Sequence, residues 1–406
     1  MPTEDYIREA EKYVAKTYGR YAMVPVRGKD TRLWDADGKE YTDFVAGLAV
    51  LNLGHCHPKV VEAIREQAGT LIHTSNLFHI PPQIELAKRL VESSFGDKVF
   101  FCNSGGEANE AAIKLARKYS FDKYGEGRGD ILTMLDSFHG RTLATIAATG
   151  QEKFRKGFYP PSPGFVHVPF DDLEAAEAAV TAATCAVLVE PIQGEGGVNV
   201  PGEGYLAGLR RLCDERDLVL IFDEVQTGMG RTGTLFAYEQ EGVEPDAMTL
   251  AKSLAGGTAI GALVAREPFI SALGPGTHAS TFGGNFLATA AGVAAMDVLA
   301  EGGLLENCRE MGAYLVFGLE TLREGHPCIR QIRGRGLLVG VELDHDGPDY
   351  VLQAMERGFL INCTMGNVLR FLPPLTITQA DIDRLLVLLD EILPGADEGK
   401  QGAVSD

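Results

Sequence analysis

Leu218-Val219-Leu220-Ile221-Phe222-Asp223-Glu224-Val225-Gln226 is the stretch on which the fold turns. Five apolar residues in succession, with no polar alternation, suit a strand covered on both faces, as in the parallel sheet of an α/β unit. The same texture recurs at 99–102, 131–134, 186–189 and 262–264, with helical patterns between. The two acids close the strand at its carboxyl end, where open α/β sheets bind their ligands. A carboxylate buried there needs a cation, a metal or a protonated ring nitrogen opposite it. A Walker-B acid is the rival reading, but Gly-x-x-x-x-Gly-Lys-Ser/Thr is absent from the chain.

Working outward, Val99-Phe100-Phe101-Cys102-Asn103-Ser104-Gly105-Gly106-Glu107 runs a strand into a helix start with the spacing of a capping box. Apolar positions 108, 111, 112, 115, 116 and 119 mark one face of that helix. Two glycines at its first turn leave backbone N–H groups open, and the dipole favours a phosphate there. Twenty-nine residues beyond Asp223, Lys252 stands among small and apolar neighbours. An isolated lysine is ordinarily a solvated charge, but one confined in this way can lose its proton and serve as a Schiff-base nucleophile. A phosphate-ready helix start, a strand-end carboxylate and such a lysine are together what pyridoxal phosphate requires. The segment Gly228-Met229-Gly230-Arg231-Thr232-Gly233 matches Gly-x-Gly-x-x-Gly, but Gly242 and Pro245 break the chain before a crossover helix could form, so a nicotinamide site is not expected.

Composition narrows the class. Glycine supplies 48 of 406 residues, about 12% against an ordinary 7% or so. With 45% hydrophobic residues and no three-residue period, those glycines belong to a folded chain. The formal charge of −19, without a long Lys/Arg block, argues against nucleic acid. Seven cysteines without a Cys-x-x-Cys pair suggest reduced thiols in the cytosol. The acidic N-terminus lacks the basic-then-apolar pattern of a signal peptide, so none is expected; no apolar run reaches the roughly 18 residues of a membrane span, and no membrane partner is expected. His55-Cys56-His57 lacks further ligands nearby, so no metal is expected. Two domains are expected: an N-terminal segment, 1–56, joining a smaller α+β unit at 311–393, and a large α/β unit at 57–310. A hairpin is expected around Asp37-Gly38, and a frayed tail at 394–406.

From about residue 10 to 393 the chain resembles the class III (ω-)aminotransferases of the fold-type I pyridoxal phosphate superfamily. The resemblance is carried by Asn52-Leu53-Gly54-His55-Cys56-His57-Pro58, Asn103-Ser104-Gly105-Gly106-Glu107-Ala108-Asn109, Phe138-His139-Gly140-Arg141-Thr142, Glu190-Pro191-Ile192-Gln193-Gly194-Glu195-Gly196-Gly197, Asp223-Glu224-Val225-Gln226-Thr227-Gly228, Lys252, and Ser280-Thr281-Phe282-Gly283-Gly284-Asn285. It implies a mostly parallel seven-stranded sheet covered by helices, plus the smaller α+β domain. It implies Lys252 as the imine-forming and proton-carrying base and Asp223 as partner of the ring nitrogen. Ser104, Gly105, Gly106, Phe138, Glu224, Val225, Gln226 and Thr281 complete the implied cofactor set, Thr281 reaching the phosphate of a neighbouring subunit in a homodimer with shared sites. Relatives commonly carry Thr or Ala where Gly106 stands, and Gly where Ala279 stands. His139 is expected to be structural.

Arg141, Ser280, Arg370 and Glu195 are the implied substrate residues, since a planar guanidinium grips a carboxylate with paired hydrogen bonds. Glu195 would mask Arg370 while an ω-amine enters. The implied reaction moves the 5-amino group of N2-acetyl-L-ornithine to 2-oxoglutarate, in arginine biosynthesis. Ornithine, succinylornithine, succinyl-diaminopimelate or 4-aminobutyrate as donor, and an aminomutase-type isomerase, are the alternatives.

Overall fold

The computed structural model describes residues 1–395. After a helix at Thr3–Tyr13, strands β1 (Pro25–Lys29), β2 (Arg32–Asp35) and β3 (Glu40–Asp43) form the antiparallel N-terminal sheet, and β2–β3 is the expected hairpin. The next seven strands make the central sheet: β4 (Lys98–Cys102), β5 (Asp130–Met134), β6 (Phe165–Val168), β7 (Thr184–Val189), β8 (Val219–Asp223), β9 (Ala247–Leu250) and β10 (Gly261–Ala265), in the order β4-β10-β9-β8-β7-β5-β6. Pairing is parallel from β9 through β6, while β10 runs antiparallel to both β9 and β4. The last strands are β11 (Ile329–Arg335), β12 (Leu338–Leu343), β13 (Phe359–Leu360), β14 (Asn362–Thr364) and β15 (Val368–Phe371). Of these, β11-β12-β15-β14 form an antiparallel sheet, and β13 adds in parallel to β3, so the C-terminal part closes onto the N-terminal segment. The tail expected from 394 falls, from residue 396, outside the described residues.

The unbroken apolar strands are buried on both faces, and period-2 alternation assigns their side chains. On β8, Val219 and Ile221 pack with Ala111, Ala112 and Leu115 of the helix Gly105–Tyr124, whereas Leu220 and Phe222 join the core on the opposite face. The helix approaches closely because half of its buried residues are alanine: Ala108, Ala111, Ala112 and Ala116. Burial of Leu115 and Ile221 contributes roughly 2 kcal/mol each. This alternation puts Asp223 on the helix side and Glu224 on the other. Among the described residues no single helix is long and apolar enough to cross a membrane.

Candidate active site

The carboxyl ends of the central strands open into a cavity of about 370 Å³, lined by Ser104, Gly105, Gly106, Phe138, Asp223, Val225, Gln226, Glu195 and Lys252. Ser104 caps the helix Gly105–Tyr124, accepting from the Glu107 N–H at 3.2 Å. The expected capping box is displaced by one residue, because Glu107 Oε2 accepts from the N–H of Asn103, at 2.6 Å. A Cβ at Gly105 would lie 2.8 Å from Val225 Cγ1, so glycine is what lets this turn approach the β8 loop. At Gly106 nothing would come within 3.9 Å, which leaves the room that Thr or Ala would fill.

Asp223 is 3% exposed, and both its oxygens are fixed. Oδ2 accepts from Asn109 Nδ2 at 2.7 Å and His139 Nδ1 at 2.8 Å, and Oδ1 from the Val225 N–H at 3.0 Å. Thr249 in turn donates to Asn109 Oδ1 at 2.8 Å. Among the described residues, His139 Nε2 is buried without a partner. The histidine thus holds Asp223, a role more specific than the structural one expected of it. Lys252 opens a short 3-10 turn with a left-handed φ of 41°, unusual for a side-chain-bearing residue. Burial brings its ammonium down to about 8; Glu195 opposes that shift and Arg370 assists it.

Arg370 on β15 is 1% exposed. Its Nη1 donates to Glu195 Oε1 at 2.8 Å and Nη2 to Oε2 at 3.3 Å, the paired geometry expected of this couple. Asn362 Oδ1, the Gly194 carbonyl and Gln226 Oε1 take its remaining donors. Burial alone would raise Glu195, but Arg370 and then Lys252 outweigh it and hold the carboxyl at about 2. Glu190 lines the cavity beside them, accepting from the Phe138 N–H at 3.1 Å; burial, then Asp223, pushes its carboxyl well up.

Four expected residues are placed elsewhere. Glu224, expected at the cofactor, turns to the opposite side of the strand end, where Thr227 Oγ1 and the Ala237 and Tyr238 N–H groups donate to it. Arg141 is exposed outside the cavity lining, its guanidinium 3.9 Å from the Phe154 ring centre and 5.2 Å from that of Phe138. Ser280 and Thr281 line a separate cavity with His73, Asn76 and Gln83. His55 of the His-Cys-His turn pairs with Asp43 at 2.7 Å. Asn109 and Glu190 stand within the quoted motifs without a role assigned to them, and Asn362 was not singled out from the sequence. Asn109 lies one helical turn beyond Gly105, a spacing that could have flagged it.

The cavity fits pyridoxal phosphate on its own geometry: a glycine-floored helix start for an anion, a fixed carboxylate for a protonated ring nitrogen, and a lysine of lowered basicity in the same lining. Such a set at the strand ends of an α/β sheet defines a pyridoxal phosphate enzyme. Comparison with known proteins narrows the class. The chain belongs to the class-III aminotransferase family, whose model matches residues 13–393. It is 53% identical to the acetylornithine aminotransferase of Methanocaldococcus jannaschii over 392 residues, covering 97% of this chain and 98% of that one. Among solved structures, ornithine aminotransferase from Toxoplasma gondii, with pyridoxal phosphate at partial occupancy in its active site, superposes with a TM-score of 0.92 at 38% identity, over 96% and 93% of the two chains. The acetylornithine aminotransferase of Elizabethkingia anophelis gives 0.87 at 35% identity, over 97% and 99%.

Proposed function

We propose that this chain is a cytoplasmic, homodimeric transaminase that moves the 5-amino group of N2-acetyl-L-ornithine to 2-oxoglutarate, yielding N-acetylglutamate 5-semialdehyde and glutamate for arginine biosynthesis. Similarity to acetylornithine aminotransferases at about half identity supports the donor. The observation that carries the reading is that Glu195, in the lining of the cavity of Lys252 and Asp223, is paired with the buried Arg370 behind it. In this reading the large domain spans 57–310, and 1–56 with 311–393 form the smaller one.

Pyridoxal phosphate, when bound, supplies an electrophilic carbonyl and an electron-withdrawing ring. The N–H groups of Gly105 and Gly106 would hold its phosphate. Asp223, oriented by Asn109 and His139, would keep a proton on its ring nitrogen, and Phe138 would pack on the ring. Lys252 Nζ, with its basicity lowered by burial, holds and releases a proton near neutral pH. Arg370 binds the α-carboxylate of glutamate or 2-oxoglutarate, next to the reacting carbon, once Glu195 swings away; with Glu195 in place the cation is neutralised and a donor bearing an ω-ammonium meets no net repulsion. Arg141 serves the other substrate carboxylate, and Ser280 and Thr281 serve the neighbouring subunit's site.

A panel of amine donors assayed against 2-oxoglutarate tests this. N-Acetylornithine should give the highest kcat/KM, and turnover should stop when 2-oxoglutarate is withheld. Preference for 4-aminobutyrate, or continued turnover without the oxo acid as in an aminomutase, would refute it.

A further inference from the structure

Four consecutive carbonyl oxygens in the turn that carries Glu195 each accept a hydrogen bond from a side chain. Gly194 O takes Arg370 Nη1 at 2.9 Å, Glu195 O takes Thr364 Oγ1 at 2.6 Å, Gly196 O takes Asn199 Nδ2 at 3.0 Å and Gly197 O takes Arg333 Nε at 2.9 Å. Three of these donors come from the C-terminal sheet, on β15, β14 and β11. Backbone bonds in both directions between Gln193 and Asn199, each 3.0 Å, close the base of the turn. There is no slack inside it. A Cβ at Gly194 would lie 1.8 Å from Gln226 Oε1, and one at Gly196 would lie 2.6 Å from the Asp136 carbonyl. Val198, a β-branched residue, is held in the left-handed region at φ 58°, a conformation that persists only where its surroundings impose it.

A backbone pinned at every carbonyl does not swing, so the Glu195 carboxylate can leave Arg370 only by turning about its own side-chain bonds. We infer that Thr364 is a positioning residue for this gate: its hydroxyl fixes the Glu195 backbone at the point that sets the carboxylate against Arg370. Loss of the bond widens the range of Glu195 positions and weakens its hold on Arg370. The dicarboxylate side of the reaction gains by that, and the ω-amine side, which needs Arg370 neutralised, loses. The inference rests on the gated reading of the Arg370–Glu195 pair above.

The experiment compares holoenzymes carrying Thr364→Val, Thr364→Ser and Glu195→Gln. Single-turnover half-reactions with glutamate and with N-acetylornithine are measured, and glutarate binding is followed by calorimetry. Thr364→Val keeps the shape and removes the donor; it should raise the glutamate-to-acetylornithine ratio of kcat/KM about fivefold, the worth of one ordinary hydrogen bond. It should tighten glutarate to a similar extent, and Thr364→Ser should restore both. Arg333→Gln, which releases the Gly197 carbonyl, should shift the ratio in the same direction and stands in if Thr364→Val folds poorly. If Glu195→Gln moves the ratio while neither other variant does, or if they depress both half-reactions equally, Thr364 does not position the gate. If Glu195→Gln itself moves nothing, the gate reading fails and the inference with it.

Discussion

At Lys252 the backbone and the charge are both unusual. The residue sits at φ 41°, and burial lowers its ammonium from the ordinary 10.5 to about 8. For a base, a lowered value means that the neutral amine becomes populated at lower pH: half-neutral near pH 8, where an ordinary lysine remains protonated. Acetylation of the cofactor-free protein, mapped by peptide mass spectrometry across pH 6–11, should therefore show Lys252 reacting with a midpoint about two units below the ordinary lysine value. Glu195→Gln should move that midpoint lower still, because Glu195 is the foremost of the carboxylates that raise it, ahead of Asp223 and Glu190. A midpoint at 10.5 would remove the argument that this cavity prepares its nucleophile. Lys252→Arg should lose the reactive site and all transamination.

At the scale of the element, the helix Gly105–Tyr124 depends on one of its two glycines far more than on the other. Gly105 meets Val225 Cγ1 at 2.8 Å if given a Cβ, whereas Gly106 has open space to 3.9 Å. Gly105→Ala should force the helix start off the β8 loop and weaken cofactor retention about tenfold, read by equilibrium dialysis. Gly106→Ala should retain cofactor normally and raise stability by about 0.5 kcal/mol, the gain from a better helix former. Equal effects of the two substitutions would mean that the close approach to Val225 does not govern the turn. The sequence made much of this element legible, because strand, cap and alanine stripe are local signals. It was less informative about Glu224: two acids end the same strand, but alternation sends Asp223 to the helix side and Glu224 to the other, where backbone N–H groups 13 and 14 residues away receive it. The sequence also gave no sign that Thr364 meets the Glu195 carbonyl, a pairing 169 residues apart. Ser280, Thr281 and Arg141 were readable as motif positions, yet one chain alone does not bring them into the Lys252 cavity.

For the whole molecule, the joint between its parts passes through the glycine-rich segment that first resembled a nucleotide fingerprint. Arg231 is fully buried, and its guanidinium donates to the Leu337 carbonyl at 3.0 Å, the Pro373 carbonyl at 2.6 Å and Asn52 Oδ1. These acceptors belong to the C-terminal part and the N-terminal segment, so one side chain from the loop between β8 and β9 fastens both; Asn52 returns a bond to the Met229 carbonyl at 2.8 Å. Among the described residues the oxygens that receive the cation are neutral, and burial lowers it to about 10, with Cys308 and Asp43 opposing. A buried charge held by carbonyls is costly to remove because its partners stay behind, desolvated and unpaired. Arg231→Met should therefore destabilise the chain by about 2–3 kcal/mol in guanidinium unfolding, the order of the cost of leaving buried carbonyl oxygens unpaired. Arg231→Lys keeps a charge but not the planar fork that reaches three acceptors, and should fall between. Because two of the three acceptors flank β12 and β15, the Met variant should also unfold with a broadened or split transition as the C-terminal part releases early. A sharp transition within 1 kcal/mol of the parent would show that packing alone joins the parts and that the arginine is dispensable.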